Sequence, residues 1–570
     1  MLKTRAARET WLFWIVALLV LGAGLGLRDP WPADEPRFAL VAKQMIESGN
    51  WLFPHRGTEL YSDKPPMLMW LQAAGFTVFG NWRVAFLLPS LLAALGTLWC
   101  VVDLGKRLWT RKVGLYAGWA LLFALQFTYQ SKKAQIDPLV TLWITLANYG
   151  LLRHFLSTRR DPEPDWKLWA LGWFAAGLGT ITKGVGVLAL AMLLPAIYAS
   201  VRGWRDVRTP LRDVRVLLGP LAFVAAAALW LAPMLAAALS SHDPAYRAYL
   251  DDILFHQTAG RYAKSWDHPH PPWYHLGVML TMWLPPLLAL PWALPAWKRR
   301  LQRRDARYLL PLAWWLLVVV FFSIPSGKRD VYIMPALPMA CLALAPLLPG
   351  IVRKRWPRRF AFGFALALAL AALALGAAML FGNPGFEARF SAERGFDAGA
   401  GPMAALLLAI GAWGVGSALW FRGRAIAVLL STLAGTWVLF GVVGYPLLND
   451  SSSARGLMQD VGRRIGPGAQ LGLVAWKEQN LLMADRQATT FGFVLPWSLQ
   501  LQRGIAWQRA APASRWLLVQ EGALSQCIVR EHAVFAGRAN RRLWWLVPAQ
   551  AVVPDCIPHE ARQDDSADGN

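Results

Sequence analysis

Directly after the first long apolar run of this chain comes Trp31-Pro32-Ala33-Asp34-Glu35-Pro36-Arg37-Phe38, with two adjacent acids and a base close behind. A carboxylate in such a place can take a proton from an acceptor or orient it, and a cation nearby can balance an anion. A second polar cluster, Ser62-Asp63-Lys64-Pro65-Pro66, follows downstream. Charge at a bilayer edge costs little, so position alone proves nothing. What raises its interest is recurrence on one side. If the apolar runs cross a membrane, Asp34, Glu35, Arg37, Asp63 and Lys64 share the first external loop. Lys132, Lys133 and Asp137 fall in the second, Lys183 in the third, and His256, Arg261, Asp267 and His268 in the fourth. Lys328, Arg329 and Asp330 form the fifth. External loops should be poor in base, so Lys183 and Lys328, in loops of a few residues, call for an anionic partner. Phosphate suits them, because Lys and Arg bind it by charge-assisted hydrogen bonds.

The elements that must hold these residues are set by composition. The chain has 570 residues, 56% of them hydrophobic and only 16% charged. Many apolar runs reach the ~18–20 residues needed to span ~30 Å of hydrocarbon. The expected fold is a polytopic α-helical membrane protein with about 13 transmembrane helices. The runs are Trp11–Leu27, Val84–Leu104, Val113–Tyr129, Pro138–Phe155, Leu168–Thr182, Gly184–Val201 and Val216–Leu239. After a polar interval come Trp273–Trp297, Tyr308–Ile324, Val331–Gly350, Phe360–Phe381, Met403–Phe421 and Ala425–Leu447. The first follows Lys3, Arg5 and Arg8 and reads as an uncleaved span. Met67–Phe79 is short and is laid in the interface, which puts the basic loop Lys106 to Lys112 inside.

About half of the 58 Lys and Arg then fall in cytoplasmic segments, crowding linkers such as Lys298 to Arg307 and Arg353 to Arg359. Clusters recurring at bilayer edges account for the +24 net charge through orientation and lipid headgroups, and nucleic acid is not an expected partner. Residues 1–450 make the membrane domain. Residues 451–570 lie outside as a small periplasmic α/β domain, with apolar runs between Gly466 and Pro558 and a disordered tail from Gln563. Cys527 and Cys556 fall in that exported part, where a disulfide can persist, whereas Cys100 and Cys341 read as core residues.

The segments ADEPRF…MIESGNW, YSDKPPMLMW, AQIDPLV, TKGVGVL and SGKRDVYIMPALP resemble, in order, motifs of the aminoarabinose transferases of lipid A. More broadly they resemble the protein O-mannosyltransferase family of membrane glycosyltransferases, of GT-C class. The resemblance covers roughly residues 28 to 345. It implies an inverting transfer of a sugar from a polyprenyl-phosphate carrier to lipid A, a glycan or a protein, at the outer face of a bacterial inner membrane. By resemblance Asp34 is the first-loop catalytic acid, with Glu35 beside it and Asp137 as a further acid. Arg37, Lys64, Lys183, Arg261 and Lys328 fall where bases hold the carrier phosphate. Asp63 with His256 falls at a divalent metal site, zinc being the candidate cofactor.

The residue types suit that chemistry independently. A polyprenyl phosphate leaves as a stabilised anion, so one carboxylate for the acceptor and cations for the leaving group suffice. Ordinary glycosidases instead use two carboxylates. Each residue also has a plainer reading. Asp34 and Glu35 could cap an amphipathic helix carrying Phe38, Val41 and Met45; Asp137 could cap a span; Lys64 and Lys183 could snorkel to headgroups. His268 and His270 read as loop residues. A transporter or flippase of lipid-linked sugars is the alternative function, but it would want ionisable residues at mid-membrane, and the spans are nearly free of them.

Overall fold

Helices carry most of the chain, as long apolar runs require, because in hydrocarbon each backbone N–H and C=O must be satisfied internally. The computed structural model describes residues 4–158, 162–208, 213–254, 269–381 and 401–559. Among the described residues six helices are long and apolar enough to cross a membrane: Trp82–Leu108, Val214–Ser240, Ala306–Ser323, Arg355–Phe381, Gly401–Trp420 and Ala425–Ser453. This is the build of a multi-pass membrane protein.

Several of the other apolar runs depart from the single straight spans expected of them. Trp273–Trp297 is two helices, Tyr274–Met282 and Pro286–Gln302, bent by 98°. Pro285 and Pro286 remove two backbone donors at that bend. Val113–Tyr129 breaks between Arg111–Leu122 and Leu125–Ser131. There the Leu125 N–H donates to Leu284 O of the bent pair at 3.0 Å. Gly184–Val201 opens as a 3-10 turn over Val185–Met192 before the α-helix Leu193–Val201. Val331–Gly350 likewise opens as 3-10 over Asp330–Ala336, with Pro335 inside it.

The polar face is held by close helix packing. The helices Ile136–Phe155 and Trp166–Lys183 run side by side, and a Cβ at Gly150 would lie 2.4 Å from Leu168 O and 3.0 Å from Gly172 Cα. Small residues let two backbones touch in this way. Lys183 ends its helix because Gly184 turns the chain at φ +65°, its N–H reaching Thr180 O at 2.7 Å. The helix Glu35–Ser48 buries Phe38, Val41, Ala42 and Met45 on one face, at a 3.6-residue period, and Ala39 and Leu40 on another, in the cluster that contains Leu457 and Met458. It packs against Met67–Phe79, and a short antiparallel hairpin, β1 (His55–Arg56) and β2 (Glu59–Leu60), lies between them in sequence.

The C-terminal unit begins with the helix Arg455–Ile465 and builds a five-stranded mixed sheet. Its strands are β3 (Gln470–Val474), β4 (Ala488–Thr490), β5 (Arg515–Gln520), β6 (Val534–Ala539) and β7 (Arg542–Val547), in the order β4-β3-β5-β7-β6. β3 is parallel to β4 and β5, and β7 is antiparallel to β5 and β6. Leu517, Leu518 and Val519 are buried in succession, as a strand covered on both faces must be. Cys527 and Cys556 form a disulfide; Cys100 and Cys341 are buried free thiols.

Candidate active site

Asp34 occupies the N-cap position of Glu35–Ser48, yet its side chain makes no capping hydrogen bond. Among the described residues its one hydrogen bond comes from Gln135 Nε2, at 3.2 Å. Two guanidinium groups flank it, Arg37 at 3.8 Å from Oδ1 and Arg329 at 3.8 Å from Oδ2. The carboxylate is 19% exposed, so it can meet a ligand. Capping, the plainer reading, does not describe this geometry.

Glu35, beside it, is spent on structure. It is buried and pairs both oxygens with Arg28, taking further N–H donors from Trp31 at 2.8 Å and Ala134 at 2.9 Å. A carboxylate so saturated has no lone pair left for an acceptor, and its work is to tie the segment around Asp34 to residues 134–137. That second segment is a strap. Ala134 meets Glu35, Gln135 meets Asp34, and Asp137 meets the Lys183 ammonium at 2.5 Å. Lys183 also lies 5.3 Å from the centre of the Tyr332 ring, so the Arg329–Tyr332 turn touches both Asp34 and Lys183. Asp34, Gln135, Asp137, Lys183, Tyr332 and Arg329 thereby close a polar circuit drawn from four separate stretches of chain.

A second chain of charge leads away from it. Arg37 Nε donates to Glu478 Oε1 at 3.1 Å, Arg56 stands 3.6 Å from the same oxygen, and Arg56 is 3.7 Å from Asp63. Burial works against the Arg37 charge more than any single neighbour favours it, but Glu478, Tyr61, Asp34 and Asp63 together outweigh burial, so its pKa is raised. Lys64 Nζ donates to Asp63 O at 2.8 Å. Asp63 therefore faces a guanidinium, and among the described residues no three His, Cys, Asp or Glu converge as a metal site. At Asp63 the described residues supply a guanidinium neighbour and no cluster of metal ligands. His256 and Arg261 lie outside the described residues.

Lys328 differs from the expectation that it meets phosphate. It is 2% exposed and donates to the carbonyls of His270 (2.9 Å), Pro325 (2.5 Å) and Ser326 (3.4 Å). Three ammonium donors on three carbonyls leave none over. The exposed cation of that motif is Arg329, 44% exposed beside Asp34.

Sequence reasoning also passed over Asp29. It is buried beneath Arg83 (3.0 Å), Arg455 (2.5 Å) and Asn449 (2.8 Å), fastening the first loop to the start of the C-terminal unit. Burial alone would push its pKa up, but the hydrogen bonds from Arg455, Arg83 and Asn449 hold it below the ordinary Asp value. Its partners lie far along the chain, so no local signal marks it. Glu478 is equally silent in sequence, whereas Arg329 and Gln135 adjoin motif residues and were within reach.

Residues 63–230 match the family model described as dolichyl-phosphate-mannose-protein mannosyltransferase. The undecaprenyl phosphate-alpha-4-amino-4-deoxy-L-arabinose arabinosyl transferase of Edwardsiella ictaluri is 29% identical over 84% of this chain and 80% of its own length. Its counterpart from Erwinia tasmaniensis is 32% identical over 60% of this chain, which covers 59% of that relative. In fold, the crystal structure of ArnT from Cupriavidus metallidurans bound to undecaprenyl phosphate superposes with a TM-score of 0.72. That match covers 96% of this chain and 99% of the other, at 19% identity. The resemblance first seen in five motifs thus extends to most of the sequence and to the fold, and it lies with GT-C membrane glycosyltransferases, not with transporters.

Proposed function

We propose that this GT-C-like chain is an inverting glycosyltransferase of the inner membrane, taking a sugar from undecaprenyl phosphate and delivering it to an acceptor at the outer face. The named relatives favour an aminopentose donor. The acceptor is lipid A, a glycan or a protein. The observation that carries the reading is the placing of Asp34: half-sheltered, uncapped and flanked by two guanidinium groups, with the Asp137–Lys183 pair across a shared strap.

In this reading the leaving carrier phosphate needs charge neutralisation, and Lys183, Lys64, Arg261 and Arg329 supply it. Asp34 orients the acceptor, accepting its proton where that acceptor is a hydroxyl. Asp137 sets the Lys183 ammonium. Glu35 and Lys328 act at one remove by fixing the loops that carry Asp34 and Arg329. A single displacement at the anomeric carbon inverts its configuration. Residues 1–450 form the membrane domain with about 13 crossings, and residues 451–570 lie in the periplasm, a placement the Cys527–Cys556 disulfide favours. The test is direct: purified protein given undecaprenyl-phosphate-linked 4-amino-4-deoxy-L-arabinose should release undecaprenyl phosphate and glycosylate lipid A. No release with that donor or related polyprenyl-phosphate sugars would overturn the reading.

A further inference from the structure

The C-terminal unit reaches into the charged chain that starts at Asp34. Its short helix Glu478–Met483 lies against Glu35–Ser48, with Glu478 buried at the contact. The order of charge is Asp34, Arg37, Glu478, Arg56, Asp63, alternating in sign, with successive separations of 3.8, 3.1, 3.6 and 3.7 Å. Glu478 is the middle member and the one supplied by the distant unit. The grip is reinforced around it. The Arg56 guanidinium lies 3.8 Å from the centre of the Phe493 ring, and Glu59 accepts the Phe493 N–H at 2.9 Å. Gln44 ties the β1–β2 turn back to Glu35–Ser48 through two 3.0 Å bonds with Gly57.

Electrostatics says what the middle charge does. Arg37 and Arg56 are mostly buried, at 29% and 11% side-chain exposure, where charges attract more strongly than in water. Each has a choice of two carboxylates. With Glu478 present, Arg37 bonds to it at 3.1 Å and stays 3.8 Å from Asp34, while Arg56 is held midway between Glu478 at 3.6 Å and Asp63 at 3.7 Å, beyond hydrogen-bond length from either. Without it, Arg37 would close on Asp34 and Arg56 on Asp63, occupying the first and drawing the Asp63-Lys64 turn inward.

We propose that Glu478 is a positioning residue of the transfer reaction, through which the C-terminal unit keeps Asp34 open and the Asp63-Lys64 turn in place. This rests on the glycosyltransferase reading above. The experiment compares the full-length protein with Glu478→Gln, which keeps shape and removes charge, and Glu478→Asp, which keeps charge. Transfer kinetics are measured with undecaprenyl-phosphate-linked aminoarabinose, and hydrogen exchange over residues 55–64. Expected for Glu478→Gln is a kcat lower by about 10- to 100-fold, as a small misplacement of reacting groups produces. The unfolding midpoint should stay close to that of the wild type, exchange over 55–64 should rise, and Glu478→Asp should recover most of both losses. Glu478→Gln with normal kcat and unchanged exchange overturns the proposal. So does equal failure of both variants with a lowered midpoint, which marks plain structural damage. If the wild type itself transfers nothing, the function reading falls, and the exchange comparison still decides whether Glu478 holds the turn.

Discussion

At the scale of single residues, the division of labour among three neighbouring acids follows from how many donors each already has. Glu35 and Asp29 are buried and saturated; Asp34 holds one hydrogen bond and stays partly exposed. On the proposed function Lys183 meets the carrier phosphate, because its carboxylate partner and the Tyr332 ring aim it without enclosing it. Lys183→Ala should reduce transfer by about 10- to 150-fold, the worth of one charge-assisted contact at ~1.5–3 kcal/mol, with weaker binding of undecaprenyl phosphate. Unaltered binding and turnover would remove it from the site.

Asp29 makes a prediction in pH. Its folded pKa is depressed, so the unfolded chain takes up the proton first as pH falls. Its stabilisation is whole above the ordinary Asp value of about 3.9 and is lost as pH drops through the lower folded value. Asp29→Asn should cost about 2–3 kcal/mol at neutral pH, below the ~3–5 of a fully buried pair because Arg83 and Arg455 are each about a third exposed. Thermal unfolding in detergent from pH 6 to pH 3 should show a flatter acid limb for the variant; an identical limb would assign the acid sensitivity elsewhere. None of this could be read from Asp29 in sequence, where it is one charge at a bilayer edge among several. Asp34 stood out as a candidate because a motif surrounds it.

At the scale of elements, the amphipathic face of Glu35–Ser48 was legible from the spacing of Phe38, Val41 and Met45. The breaks at Phe123-Ala124 and Pro285 were not. Hydropathy counts apolar length, and an interruption whose N–H is met by a neighbour's carbonyl, as Leu125 is by Leu284, leaves that length unchanged. The two helices that bring Asp137 to Lys183 depend on contact at Gly150 and Gly172. Gly150→Leu should push them apart, since even a Cβ there would meet Leu168 O at 2.4 Å. We expect a loss of about 1–3 kcal/mol in stability and a larger proportional loss of transfer than of fold, because the Asp137–Lys183 pair sits at the far end of the same lever. Unfolding midpoints and transfer rates on one preparation check it; full activity at wild-type stability would mean that the contact does not set the pair.

At the scale of the whole molecule, the polytopic helical class followed from composition alone, and the convergence of Asp34, Asp137, Lys183 and Arg329 matches loops that the sequence groups together. The joining of the C-terminal unit to the site was illegible, because Arg37–Glu478 and Asp29–Arg455 link positions more than four hundred residues apart. The account centres on Asp34 as the carboxylate that serves the acceptor. The most direct test measures sugar transfer from undecaprenyl-phosphate-linked aminoarabinose by wild type and Asp34→Asn, alongside binding of undecaprenyl phosphate to each. The account predicts transfer by the wild type, a loss of about 10²–10⁴-fold in the variant, and carrier binding preserved within a few-fold. Near-normal turnover by Asp34→Asn would contradict it.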